Sequence, residues 1–158
     1  MAFAIEVPGE AAPLSPQQVY LALQSASSSQ QLSIQTGTKQ LQTWETQKGY
    51  YSLLQAVYLD KSLPSEIRYL AIIQLKNGID KYWRKTAVNA IPAEEKAQIR
   101  AQLLDGGLVE PETNLALQNA LAVAKVVRYV QRHVDLEEEH LHEAELITPS
   151  NGQRSSQA

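Results

Sequence analysis

GYYSLLQAVYLDKSLPSEIRYLAIIQLKNGIDKYWRK, residues 49–85, decides the fold. Tyr51, Leu54, Val57 and Tyr58 recur at three- and four-residue steps, the spacing of a helix with a buried stripe. Asp60-Lys61-Ser62-Leu63-Pro64 interrupts the pattern. Ser62 is expected to N-cap a second helix, with Pro64 in its first turn, where the missing N–H is not needed. That helix is expected to run to about Arg84. At roughly 100° per residue, Ile67, Leu70, Ala71, Ile72, Leu75, Ile79, Tyr82 and Trp83 span an arc of roughly 220°, wider than the ~100° stripe of a helix with one buried face. Such a helix touches several neighbours at once. Lys76, Asn77, Asp80 and Lys81 fill most of the remaining strip. The pattern predicts a stacked helical-repeat array, in which each hairpin buries surface against the hairpins before and after it.

The flanks repeat this texture. Ser15-Pro16 begins a helix with Val19, Ala22, Leu23 and Ala26 on its apolar stripe. After the Ser27-Ser28-Ser29 turn, a helix over 30–47 has Leu32, Ile34, Leu41 and Trp44 as buried candidates, and a bend or fraying is expected near Gly37. Beyond a connection over 86–91, Pro92-Ala93-Glu94-Glu95 opens a helix whose acids favour the positive end of its dipole. It continues through Ala97, Ile99, Ala101, Leu103 and Leu104, and Asp105-Gly106-Gly107 is expected to stop it. Glu110-Pro111-Glu112 opens another, in which Leu115, Ala116, Ala120, Leu121, Val123, Ala124 and Val127 cover more than half the circumference. The chain thus reads as all-α, an α-α superhelix of HEAT or armadillo type. It has a loose leader over 1–13 and a domain over 14–130. The three hairpins, at about 15–47, 49–85 and 92–130, have a period of about 40 residues. Residues 131–158 read as an acidic, then polar, tail foreign to the fold, with 148–158 disordered.

Composition narrows the function. The 158 residues are 44% hydrophobic, which argues against wholesale disorder. Cysteine is absent, which excludes disulfides, thiolate metal sites and a cysteine nucleophile. The start, MAFAIEVPGEAAPL, lacks the basic and apolar regions of a secretory signal. The longest aliphatic run, Ala120 to Ala124, is far short of the ~20 residues of a membrane span. The net charge of -3 conceals an asymmetry. Residues 39–85 carry eight Lys/Arg against four Asp/Glu, whereas 135–158 carry six acids against one Arg. The basic part suits an acidic protein partner or no partner at all, and is too dilute for nucleic acid.

Three pieces carry a family resemblance: Leu41-Gln42-Thr43-Trp44-Glu45 with Gly49-Tyr50-Tyr51-Ser52-Leu53-Leu54; Leu59 to Arg68; and Leu75-Lys76-Asn77-Gly78-Ile79 with Tyr82-Trp83. Their order and spacing resemble the N-terminal region of importin-β (karyopherin-β) nuclear transport receptors, and the run from Lys76 to Arg84 most resembles the importin 11 branch. The resemblance covers about residues 30–128. It implies a right-handed superhelix of HEAT repeats whose second helices, here 30–47, 65–84 and 113–130, line the concave side. It also implies that the small GTPase Ran, in its GTP form, binds there, for nuclear import between nucleus and cytoplasm. Carried over by position, the implied Ran contacts are Lys39, Lys76, Asn77, Asp80, Lys81, Asn119 and Lys125. After Val126-Val127-Arg128 the family continues into further repeats that bind cargo and nucleoporins. Here YVQRHVDLEEEH follows, which suggests a truncated product or gene model.

Other motifs read as ordinary structure. His133, His140, His142 and Glu137 include no two histidines at the i, i+4 spacing of a helical zinc site, so no metal is expected. Tyr82-Trp83-Arg84-Lys85 could form a stacking and phosphate patch, but Trp83 falls in the apolar arc and reads as core. The Glu137-Glu138-Glu139 run reads as a solvated face. All three histidines lie in the tail and no glycine loop cradles phosphate, so neither catalysis nor a cofactor is expected. The alternative to a transport receptor is a HEAT-repeat scaffold for another protein, or a fragment without function of its own.

Overall fold

Ser15 Oγ accepts a hydrogen bond from the Gln18 N–H at 3.2 Å, and Pro16 takes the first helical position, so the first helix starts where the sequence places it. The computed structural model describes residues 13–147. They form six α-helices, and no strand occurs among them. These are α1 (Pro16–Ala26), α2 (Gln31–Trp44), α3 (Tyr50–Leu59), α4 (Ser65–Tyr82), α5 (Ala93–Leu108) and α6 (Thr113–Ile147). Successive helices pair as three hairpins, stacked so that α3 touches α1 and α5 while α4 touches α1, α3 and α6. This is the HEAT-like arrangement expected. One continuous core runs from Val19 to Val126. Residues 1–12 of the leader and 148–158 of the tail lie outside the described residues.

The central helix is enclosed as its periodicity requires. Ile67, Ala71, Ile72, Leu75 and Ile79 are buried, as is Trp83 at its C-cap. The fully buried positions cover roughly 140°, narrower than the expected arc, because Leu70, at its edge, is only partly covered. Ser62 is not the N-cap. Its hydroxyl hydrogen-bonds the Asp60 carboxylate at 2.5 Å, and Pro64 takes the cap position. Gly49, with φ 88°, caps α3 in the left-handed region that favours glycine.

Polar groups tie the second hairpin to the third. Glu95, in the first turn of α5, accepts from the Gly49 and Ser52 N–H groups at 3.1 and 3.2 Å, satisfying free donors at the start of α3. Buried Gln55 donates to the Ile99 carbonyl of α5 at 2.9 Å, and within the third hairpin buried Asn119 donates to the Leu103 carbonyl at 2.9 Å. Arg68 is enclosed, pairs with Glu110, donates to the Tyr58 carbonyl at 2.7 Å and lies over the Tyr58 ring. A buried pair of this kind loses several kcal/mol, about 3–5, when one partner is removed.

Several local expectations are overturned by packing. Gly37 does not fray α2, which runs unbroken through it. It is buried against α1, where an added Cβ would lie 2.5 Å from Ala26 N and 2.6 Å from Ala22 O. Gly106 and Gly107 do not stop α5, which continues to Leu108. A Cβ on Gly106 would meet the Leu59 side chain at 2.7 Å, and one on Gly107 would meet Asn119 at 2.3 Å. Leu32, expected in the core, is 76% exposed in the first turn of α2. Ala120, Leu121, Ala124 and Val127 are exposed too, because among the described residues no helix packs on that side of α6. Finally, α6 does not end near residue 130. No Gly or Pro interrupts 113–147, Ala, Leu and Glu favour the helix, and Gln131 reaches Asp135 one turn on at 2.8 Å.

Two outcomes test this packing. Gly37→Ala should destabilise the chain by about 1–3 kcal/mol in chemical denaturation, because the clash with α1 backbone outweighs the propensity gain of about 1 kcal/mol; a stabilised variant would contradict the close approach. Burial raises the Tyr50, Tyr51 and Tyr58 hydroxyls above the usual 10.0. Tyr58 reaches about 12, pushed up by burial and by Glu110 against the opposing Arg68. The unfolded chain therefore releases these protons first. Their contribution to stability is complete below pH 10 and is lost as pH rises through the folded values. Helical circular dichroism should collapse at alkaline pH together with a late tyrosinate absorbance step; a single early step covering all seven tyrosines, with the helix signal intact, would refute it.

Candidate functional site

The strip of α4 left outside the core lies between the α2 and α6 ends of the stack. Its side chains reach across to both. Lys76 Nζ donates to Gln118 Oε1 of α6 at 2.6 Å. Lys81 Nζ donates to Glu45 Oε1, just past α2, at 2.6 Å. That hydrogen bond is the main reason the Lys81 ammonium titrates above its usual range, and the Glu45 charge adds to it. Asp80 Oδ2 accepts from Lys125 Nζ of α6 at 2.5 Å. The Tyr129 hydroxyl donates to the Asp80 carbonyl at 3.3 Å, and the Arg84 guanidinium lies 5.3 Å from the centre of the Tyr129 ring.

Five of the seven sequence candidates, Lys76, Asn77, Asp80, Lys81 and Lys125, thus belong to α4 and to the α6 face beside it. Asn77 is exposed between Lys76 and Asp80. Lys39 is exposed on α2, and its backbone carbonyl accepts from the Thr43 hydroxyl at 2.9 Å. Asn119 must be removed from the set. It is 2% exposed and wedged against Gly106 and Gly107. Its burial follows from helix phase, since it points toward α5 while Gln118, one residue earlier, points toward α4. Gln118, Glu45, Arg84 and Tyr129 join the face instead. Gln118 was within reach of sequence reasoning, as it precedes Lys125 by two helical turns and so shares its side.

The face is ionic and mostly solvated, with pairs bridging successive hairpins. Such pairs pre-position long side chains and present alternating charge to an incoming surface. Nothing in the arrangement couples a base to a nucleophile. Among the described residues no group of three or more His, Asp or Glu side chains could hold a metal ion. His140 and His142 are exposed on α6, and the His133 side chain lies outside the described residues. No described helix is long and apolar enough to cross a membrane. Trp83 is core, with the Lys96 ammonium 5.9 Å from its ring centre. Burial is the main reason that ammonium is held below its usual pKa, with Arg100 and Lys85 adding to the effect.

Comparisons with known proteins agree with this architecture. Residues 37–107 match the importin-beta N-terminal domain. The chain is 50% identical over 91 residues to the importin beta-like protein KAP120 of Saccharomyces cerevisiae, covering 57% of this chain and 9% of that one. It is 39% identical over 106 residues to importin-11 of Homo sapiens, covering 67% of this chain and 11% of that one. It superimposes on the solved structure of Lph2, described as a bidirectional nuclear transport receptor of S. cerevisiae, with a TM-score of 0.59 and 39% identity, over 82% of this chain and 13% of that chain. The chain therefore spans about a tenth of the length of these relatives.

Because the cross-helix pairs are partly exposed, they contribute little to folding. Lys81→Met and Lys125→Met should each change unfolding free energy by less than about 1 kcal/mol. A larger loss by denaturant titration would make the face a structural element and not a surface available to a partner.

Proposed function

This chain belongs to the importin-β family, whose N-terminal domain it carries, and we propose that it acts as the GTPase-binding end of a nuclear transport receptor. The partner is Ran in its GTP form, and the surface is the α2–α4–α6 side, taken as concave, with Lys39, Lys76, Asn77, Asp80, Lys81 and Lys125 as contacts. The observation that carries this reading is the ionic row of α4, which stands outside the core within the matched domain and is flanked by exposed side chains of α2 and α6. The mechanism is non-catalytic. Charged side chains held on a rigid stack accelerate encounter with a complementary surface and fix its orientation. In a longer receptor, binding here would bias the curvature of the solenoid and change affinity for cargo elsewhere by linkage. Cargo and nucleoporins would engage repeats beyond this chain, with the receptor moving between nucleus and cytoplasm.

A second reading has its own support. Lys76, Lys81 and Lys125 already hold partners inside the chain, which also suits a scaffold that binds a different protein through another face. Pull-down with Ran loaded with GTP or GDP separates the two. The transport reading expects retention of the GTP form alone, weakened about tenfold or more by Lys76→Glu with Lys81→Glu if these are energetic contacts. Equal or absent retention of both forms favours the scaffold.

A further inference from the structure

The last hairpin leaves an apolar groove open. It has a volume of about 290 Å³ and is lined by Leu103, Leu104, Val123, Val126, Val127 and Val130, with Arg100 and Gln131 at its rim. Leu104 and Val127 are each 59% exposed. The groove runs onto the part of α6 that leaves the stack. From residue 131 to 147 that helix extends by about 25 Å, and its described side chains there are all exposed.

Two patterns lie along this helix. Val127, Val130, Glu137, Leu141 and Ala144 repeat at heptad spacing and form one seam. The charge is also divided along the axis. Arg128 and Arg132 stand near the stack, whereas Asp135, Glu138, Glu139 and Glu143 stand toward the tip. Two such helices side by side in parallel would set acid against acid. Antiparallel, each acidic tip lies against the basic root of the other.

We propose that the 158-residue chain forms an antiparallel homodimer through α6, in which the tip of each helix docks on the α5–α6 groove of a second copy. Charge pairing selects one register among those the heptad seam allows, in which positions pair when their numbers sum to 271. Val130 then faces Leu141 of the second copy, and Val127 faces its Ala144. Arg128 and Arg132 lie level with Glu143 and Glu139 of that copy. The interface is isologous, so one twofold axis closes it. The two folded bodies lie at opposite ends of the helix pair. Glu137 at a seam position weakens the pair while marking its register, as a polar seam residue does in a coiled coil. The groove covered in this way is apolar surface that would otherwise stay exposed to water.

Sedimentation equilibrium should give twice the 17.5 kDa monomer mass. Leu141→Asp should weaken the dimer about tenfold or more and leave the helical spectrum nearly unchanged, as Leu141 is 67% exposed. Reversing Arg128 and Arg132 to Glu should weaken it, and adding Glu139→Arg and Glu143→Arg should restore it. The chain has no cysteine, which permits a direct test of orientation. A Val130→Cys protein mixed with a Leu141→Cys protein should form a disulfide-linked dimer on oxidation, whereas Val130→Cys alone should not. Two copies of position 130 are about 16 Å apart in this register, too far for a disulfide. A monomer at every concentration, or crosslinking of Val130→Cys to itself, would overturn the proposal.

Discussion

A helix whose buried face meets three neighbours cannot be satisfied by one partner, and α4 is such a helix. Its buried side chains meet α1, α3 and α6, so the fold exists only as a stack. The hydrophobic effect supplies the drive but not the geometry, because it is non-directional. Orientation comes from polar groups that must find partners once water is excluded. Glu95 on the free donors of α3, Gln55 on a carbonyl of α5, and Arg68 with Glu110 all lie between the second and third hairpins, while Asn119 ties α6 to α5 within the third. Each would be costly to leave unmatched, so together they select one relative placement of these hairpins.

The first hairpin is held differently. Its contact with the rest is aromatic and close-packed, with Trp44 and Tyr50 ring centres 6.5 Å apart and the Tyr51 hydroxyl donating to the Glu45 carbonyl at 3.0 Å. Gly78 leaves room for the Tyr51 ring, since a Cβ there would sit 2.0 Å from Tyr51 Cε1. The Lys81–Glu45 pair spans the same junction on the outside. The proposed partner surface is therefore built across the seams between hairpins and depends on their placement, so a change in stacking would move its charges relative to one another.

Among the described residues no helix packs beyond the third hairpin. Residues whose periodicity marks them as core, among them Leu121 and Val127, face water. The same helix continues past the last packed residue, turning an apolar seam and a divided charge pattern outward. The edge of the array and the projecting helix meet at the groove, which is why the two are best understood together.

Much was legible in the sequence. Period, capping at Ser15-Pro16, the three hairpins and the burial of Leu54, Leu75, Ile79 and Trp83 follow from local chemistry and helical spacing, which act over a few residues. The ordered motifs around Trp44, Leu63-Pro64 and Lys76-Asn77-Gly78 carried the family. What tertiary contact decided was the meaning of the glycines, the fate of Asn119 and the partners of the α4 lysines. Gly37, Gly106 and Gly107 look like breaks in isolation, yet each is the place where a neighbour approaches too closely for a Cβ. Asn119 and Gln118 are adjacent in the chain and differ by one helical step, which sends one into the core and the other to the surface. Local propensity contains no information about which neighbour stands at a given distance, so these assignments waited on the packed structure.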